Sequence, residues 1–106
     1  MAAAPGSAHE SSYLRFQFAL TLAARPDTRA EGIRWLRYGF ENMPLYQPLT
    51  QLALAHTYES AGQRDSAALA YRRFLRLWDK ADPELQGRVR EAESGLQEVT
   101  AERPAP

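Results

Sequence analysis

Apolar residues recur along this chain with the period of a helix, and no stretch alternates with a strand's period of two. In a first segment, roughly Glu10 to Ala24, the residues Phe16, Ala19, Leu20 and Ala23 stand at i, i+3, i+4 and i+7. The same segment carries a second stripe, Leu14, Phe18 and Leu22, so one helix is apolar on two sides. Arg25-Pro26-Asp27 ends it. Thr28 stands three residues before Glu31, the spacing of a capping box, and predicts a second helix to about Asn42 with Ile33, Leu36, Phe40 and Met43 on its apolar face. Pro44 breaks that helix, and Pro48, whose missing N–H costs nothing in a first turn, fits the start of a third that runs to about Ser60. Gly62 then supplies the left-handed conformation that helix ends prefer. A fourth helix carries Ala67, Tyr71, Phe74 and Trp78. Asp82 and Pro83 cap and open a fifth, with Leu85, Val89, Ala92, Leu96 and Val99 on one face and Gln86, Arg90, Glu91, Glu93 and Gln97 on the other.

The first helix pair repeats as the second. A shift of 35 residues lays Ala19-Leu20 on Leu54-Ala55, Ala23 on Tyr58, Gly32 on Ala67, Leu36 on Tyr71 and Phe40 on Leu75, with small mostly on small and large on large. At these residues the chain resembles the tetratricopeptide repeat family, whose unit of about 34 residues is a pair of antiparallel helices with small residues at their crossing. The second unit carries the pattern best, with Leu54-Ala55, Tyr58, Gly62, Ala67 and Tyr71 at the family's spacings. Phe74 departs from it by replacing a small residue, Asp79 stands where a proline ends the repeat, and Ala23 and Asp27 stand where Tyr and Gly are typical. The joint from Tyr71 to Leu85 is similar to the last repeat and closing helix of bacterial arrays, some of which follow a kinase or transcriptional-regulator domain. The resemblance implies an all-α short solenoid of five antiparallel helices. Its hairpins span about 13–47 and 48–81 and its capping helix 83–99, within a domain of residues 10–99. Residues 1–9 read as a flexible leader and 100–106 as a flexible tail.

Composition narrows the function more than it defines it. A chain of 106 residues that is 44% hydrophobic suits one small domain, which buries only ~60–70% of the surface its unfolded form exposes. With 13 Lys plus Arg against 13 Asp plus Glu, no global field draws it to nucleic acid or an anionic membrane. The absence of cysteine removes disulfides, thiol nucleophiles and thiolate metal sites. No basic and apolar leader reads as a secretory signal, and no apolar run approaches the ~18–20 residues of a membrane span, so a cytoplasmic location is the default expectation.

Catalytic patterns are missing. There is no Gly-rich phosphate loop, no HExxH zinc pattern and no GxSxG elbow, and a two-helix repeat offers no obvious oxyanion pocket. His56 and Glu59 share a helix face, but a carboxylate metal site in a bundle needs matching ligands from further helices, so neither a metal nor any other cofactor is expected. Trp35 and Trp78, each at or beside an apolar stripe, read as core. The expected role is noncatalytic protein–protein interaction or assembly.

Three surfaces are candidates. The resemblance places a partner groove on the first helix of each unit, at Leu14, Gln17, Thr21 and Ala24 and at Leu49, Leu52, His56 and Glu59. The family's Lys and Asn clamp for a chaperone C-terminus is not supplied by Gln17-Phe18 or Leu52-Ala53, so an apolar helix or extended segment is the expected ligand. Leu14, Phe18 and Leu22 form a candidate end-face interface, open to a homo-oligomer or to a neighbour in a larger assembly. Arg72, Arg73 and Arg76, with Arg34 and Arg37, make a candidate basic strip, read chiefly as a solvated face that pairs with Glu41, Asp65 or Asp79. A self-assembling structural subunit, or an accessory or regulatory subunit of a larger bacterial complex, stands as the alternative role.

Overall fold

The apolar stripes fold as five helices in a computed structural model that describes residues 7–78 and 86–101, and these residues include no strand. α1 (Ser7–Ala24) and α2 (Arg29–Tyr38) form one hairpin, α3 (Gln47–Ser60) and α4 (Arg64–Leu77) a second, and α5 (Gln86–Thr100) packs on α4. A single 3-10 turn, Pro44–Tyr46, joins the hairpins. The all-α class expected from periodicity is therefore the class observed. Asp79, Asp82, Pro83 and Leu85 lie outside the described residues.

Small residues set how closely the helices approach. α1 and α2 are antiparallel: Ala23 near the end of one meets Gly32 near the start of the other, while Arg15 reaches the carbonyl of Gly39. A Cβ on Gly32 would lie 2.7 Å from Ala23 Cα, so this crossing requires glycine. In the second hairpin Ala55 and Ala67 are both completely buried. The phenol ring of Tyr71, 1% exposed, fills the space left by Gly95 of α5, with Phe74 and Ala92 buried beside it. Trp35 and Trp78 are half-buried and pack against this core, Trp78 tilted against Phe74 with centroids 4.9 Å apart.

α3 is enclosed on more sides than any amphipathic stripe implies. Pro48, Thr50, Leu52, Leu54, Ala55 and Thr57 are all buried, because α4 covers one side and α2 and α1 cover another. The two threonines are tolerated there because each hydroxyl donates back along its own helix, Thr50 to Gln47 O at 3.0 Å and Thr57 to Ala53 O at 2.8 Å. At the joint between the hairpins, Phe16, Phe40 and Tyr46 form an aromatic cluster, with Phe40 and Tyr46 stacked at 5.3 Å.

Several boundaries depart from the sequence expectation, each for a local reason. α1 starts at Ser7 rather than Glu10, taking up part of the expected leader. α2 stops at Tyr38, not Asn42, because Pro44 pushes Met43 into extended backbone (φ −125°, ψ 83°) and the chain must turn before it. The capping box does not form. Thr28 makes no side-chain cap bond to α2 and instead donates its hydroxyl to Leu22 O at 2.7 Å, closing the end of α1. Gly62, at φ +77°, does end α3 as expected: its N–H reaches Glu59 O and the next N–H, of Gln63, reaches Tyr58 O, the paired bonds of a Schellman motif. The far end of α5 is held by Arg64, whose guanidinium donates to Glu98 O at 3.1 Å and Ala101 O at 3.0 Å, a cation set against the negative end of a helix.

Candidate functional site: the groove between α1, α3 and α5

The alternation of hairpins brings the odd-numbered helices to one side, where they enclose a concavity of about 710 Å³. α1 contributes Tyr13, Phe16, Gln17 and Leu20; α3 contributes Leu49, Leu52, Ala53 and His56; Tyr46 closes one end and Arg88 and Glu91 come from α5. Each set follows helical spacing, so each helix offers one stripe to the same space. The floor is apolar, with Leu52 only 4% exposed, and the polar groups collect where α3 faces α5.

That polar end is fixed by Tyr71 from behind. Its hydroxyl donates to Glu59 Oε1 at 2.6 Å, and its oxygen lies 3.2 Å from His56 Nδ1. One phenol proton cannot serve both neighbours, so with the hydroxyl donating to Glu59 it is the imidazole Nδ1–H that donates to the phenol. The other ring nitrogen stands 3.4 Å from Glu91 Oε2, a contact that becomes an ion pair when the imidazole is protonated. Burial first, then the Glu59 hydrogen bond and the charges of Glu59, Glu91 and Glu98, push the Tyr71 phenol well above its ordinary range. The chain of contacts from Glu59 through Tyr71 and His56 to Glu91 joins α3, α4 and α5 at the polar end of the groove.

Of the expected groove residues, Gln17, Leu49, Leu52 and His56 line this concavity. Leu14, Thr21 and Ala24 do not; all three are exposed outside it, because the side of α1 that meets α3 is centred on Phe16 and Leu20. Glu59 is turned to Tyr71 and is not part of the lining. Sequence reasoning missed Tyr13, Phe16, Leu20 and Tyr46, and missed the share of α5. A signal was available for α5: Arg88 and Glu91 stand at i, i+3 on a helix whose apolar face was already identified.

The other two candidate surfaces divide. On the end face, Leu14 is 65% and Phe18 51% exposed, while Leu22 is half-buried and the Phe18 ring meets Trp35 edge-on at 5.9 Å. Arg72, Arg73 and Arg76 are all exposed, and among the described residues none forms an ion pair, so the expected pairing with Glu41 or Asp65 is not made; Asp79 lies outside these residues. They also diverge. Arg72 borders a depression beside Arg64 and Val99, whereas Arg73 lines, with Arg37, a cleft bordered by α2 and α4.

Among the described residues, no group of three or more His, Asp or Glu side chains is placed to hold a metal ion, and no helix is long and apolar enough to cross a membrane. Comparison with protein-family models, curated proteins and solved structures finds no significant match to this chain.

Proposed function

We propose that this chain is a noncatalytic interaction module of the tetratricopeptide type, which takes an apolar helix or extended segment of a protein partner into the groove between α1, α3 and α5. The observation that carries the reading is the shared lining: three separate helices present their stripes to one concavity of about 710 Å³, apolar in the floor and polar at one end. Phe16, Leu20 and Leu49 are already partly buried, so covering each is worth only a fraction of the ~1.5–3 kcal/mol of a fully exposed side chain, before association costs. The polar end gives the ligand a direction, since Arg88 and Glu91 offer a cation and an anion at fixed places. Selection from a displayed peptide library tests the proposal. Recovered peptides should be rich in apolar residues at helical or extended spacing, and should lose binding to Leu49→Arg and to Gln17→Arg, the latter at an exposed position that leaves the core alone. Peptides that bind both variants undiminished would place the ligand site elsewhere.

The exposed Leu14 and Phe18 favour a second reading, assembly through the N-terminal end face onto another copy or a neighbouring subunit. Light scattering over a concentration series distinguishes it: self-association abolished by Phe18→Glu supports assembly, and a strict monomer at all concentrations removes the homo-oligomer.

A further inference from the structure

A second recess lies on the opposite side of α3. The α3 residues that line the groove, Leu49, Leu52, Ala53 and His56, and those that line the recess, Gln51, Leu54 and Tyr58, are about half a turn apart at 100° per residue. Its walls are α2 and α4, and its volume is about 290 Å³, at the lower limit of ~300–1,000 Å³ for a small-molecule pocket. It suits anchoring side chains of a longer segment better than a whole ligand.

Its charge is one-sided. The chain balances 13 basic against 13 acidic residues, yet this lining holds Arg37 and Arg73 and no acid. Among the described residues neither arginine has an ion-pair partner, and Arg37 lies 5.4 Å from the ring centroid of Tyr38. The concave groove, by contrast, sets Glu91 beside Arg88. On the rim, Tyr38 is 57% and Leu69 48% exposed.

We propose that this cleft docks an acidic segment of a partner protein, which sets a carboxylate between Arg37 and Arg73 and lays an apolar side chain on Tyr38 and Leu69. Charge balance decides between polyanions. With zero formal net charge the chain has no long-range field to draw a nucleic acid, whereas a single carboxylate needs only the two local arginines, and the exposed Tyr38 and Leu69 add contact for an apolar side chain beside it. Guanidinium groups bind carboxylates through parallel N–H donors, so the two arginines give orientation as well as attraction. The site is separate from the concave groove and stands whether or not that groove is occupied.

Fluorescence anisotropy with a labelled peptide alternating glutamate and leucine tests this, with a glutamine–leucine peptide as its neutral match. The glutamate peptide should bind the wild-type chain, more weakly as salt rises, and the neutral one should not. Arg37→Glu and Arg73→Glu should each weaken binding by ~10-fold or more, whereas Arg72→Glu, one residue along α4 but outside the cleft, should change it by less than ~2-fold. All three positions are exposed, so the fold is not at risk. The proposal is overturned if Arg72→Glu weakens binding as much as Arg73→Glu, if the neutral peptide binds equally, if neither peptide binds at low salt, or if a single-stranded oligonucleotide displaces the glutamate peptide at lower concentration than the unlabelled peptide does.

Discussion

Replacing Gly95 with alanine sets helix propensity against packing, and the structure decides the sign. Considered alone, α5 gains about 0.8–1.0 kcal/mol when an interior glycine becomes alanine. The added methyl carbon, however, would stand 2.5 Å from Tyr71 Oη and 2.8 Å from Cε1, far inside the ~3.5–4.0 Å of ordinary carbon contact. Tyr71 has nowhere to go: it is 1% exposed, and its hydroxyl is held by Glu59 and His56. Either α5 lifts away from α4 or the phenol abandons its partners. Overpacking costs ~1–3 kcal/mol and a stranded buried hydroxyl ~1–3, so after a propensity gain of about 1 the net loss is ~1–5 kcal/mol where both are incurred, and smaller where the helix yields and the hydroxyl keeps its partners.

Urea denaturation followed by far-UV circular dichroism measures this directly, and in a domain of this size each 1 kcal/mol moves the melting temperature by about 4–8 °C. Gly87 supplies the control, because a Cβ there meets nothing within 4 Å. Gly87→Ala should be neutral or stabilising by up to ~1 kcal/mol in the same helix. Adding Tyr71→Leu to Gly95→Ala should cost less than the sum of the single losses, since the clash is then already relieved. A Gly95→Ala protein as stable as the wild type would mean that α5 does not seat on Tyr71, and the polar end of the groove would lose its support.

Gly32→Ala should cost ~1–3 kcal/mol despite its better propensity, because its Cβ meets Ala23 backbone atoms that cannot rotate away; thermal melts check it, and an unchanged melting temperature refutes the close crossing of α1 and α2. For Tyr71 the sign runs as for any group whose folded pKa is raised: the unfolded phenol ionises near its ordinary 10.0 while the folded one stays protonated, so its stabilisation is intact below pH 10 and is lost as pH climbs above it. Urea midpoints measured upward from neutral pH should therefore fall in the alkaline range, with a shallower fall in Tyr71→Phe; parallel slopes would refute the assignment.

The helices were legible because their stripes are contiguous in sequence. Phe16, Ala19 and Ala23, or Ala67, Tyr71 and Phe74, announce a buried side without knowledge of what covers it, and glycine at Gly62 marks an end by backbone conformation alone. Thr28 was misread for an instructive reason. A hydroxyl before a helix satisfies the capping pattern, but the same hydroxyl also follows a helix, and in a turn this short the carbonyl of Leu22 was the nearer partner. Pattern reading assigns a residue to one neighbour; the folded chain lets two compete. The early end of α2 is a similar case, since periodicity carries Phe40 and Met43 onto the stripe although the backbone between them is a turn.

The groove was legible only on α3. There, the positions implied by the resemblance, Leu49, Leu52 and His56, do line the concavity, while Glu59 turns to Tyr71. α1 defeats the same reading, because it is apolar on two sides and the sequence does not say which of them meets α3. Selecting Leu14 and Thr21 instead of Phe16 and Leu20 is an error of rotation about the helix axis, not of periodicity. The same freedom hid the cleft between α2 and α4. Arg73 stands between Arg72 and Arg76 in one apparent strip, yet it lines a cleft together with Arg37 of α2, and the rotation of α2 that brings Arg37 there is not written in residue order. What distinguishes the cleft physically is the company of each charge, two arginines without ion-pair partners among the described residues in a lining that holds no acid, and that is a property of the packed helices with no counterpart in the order of residues along the chain.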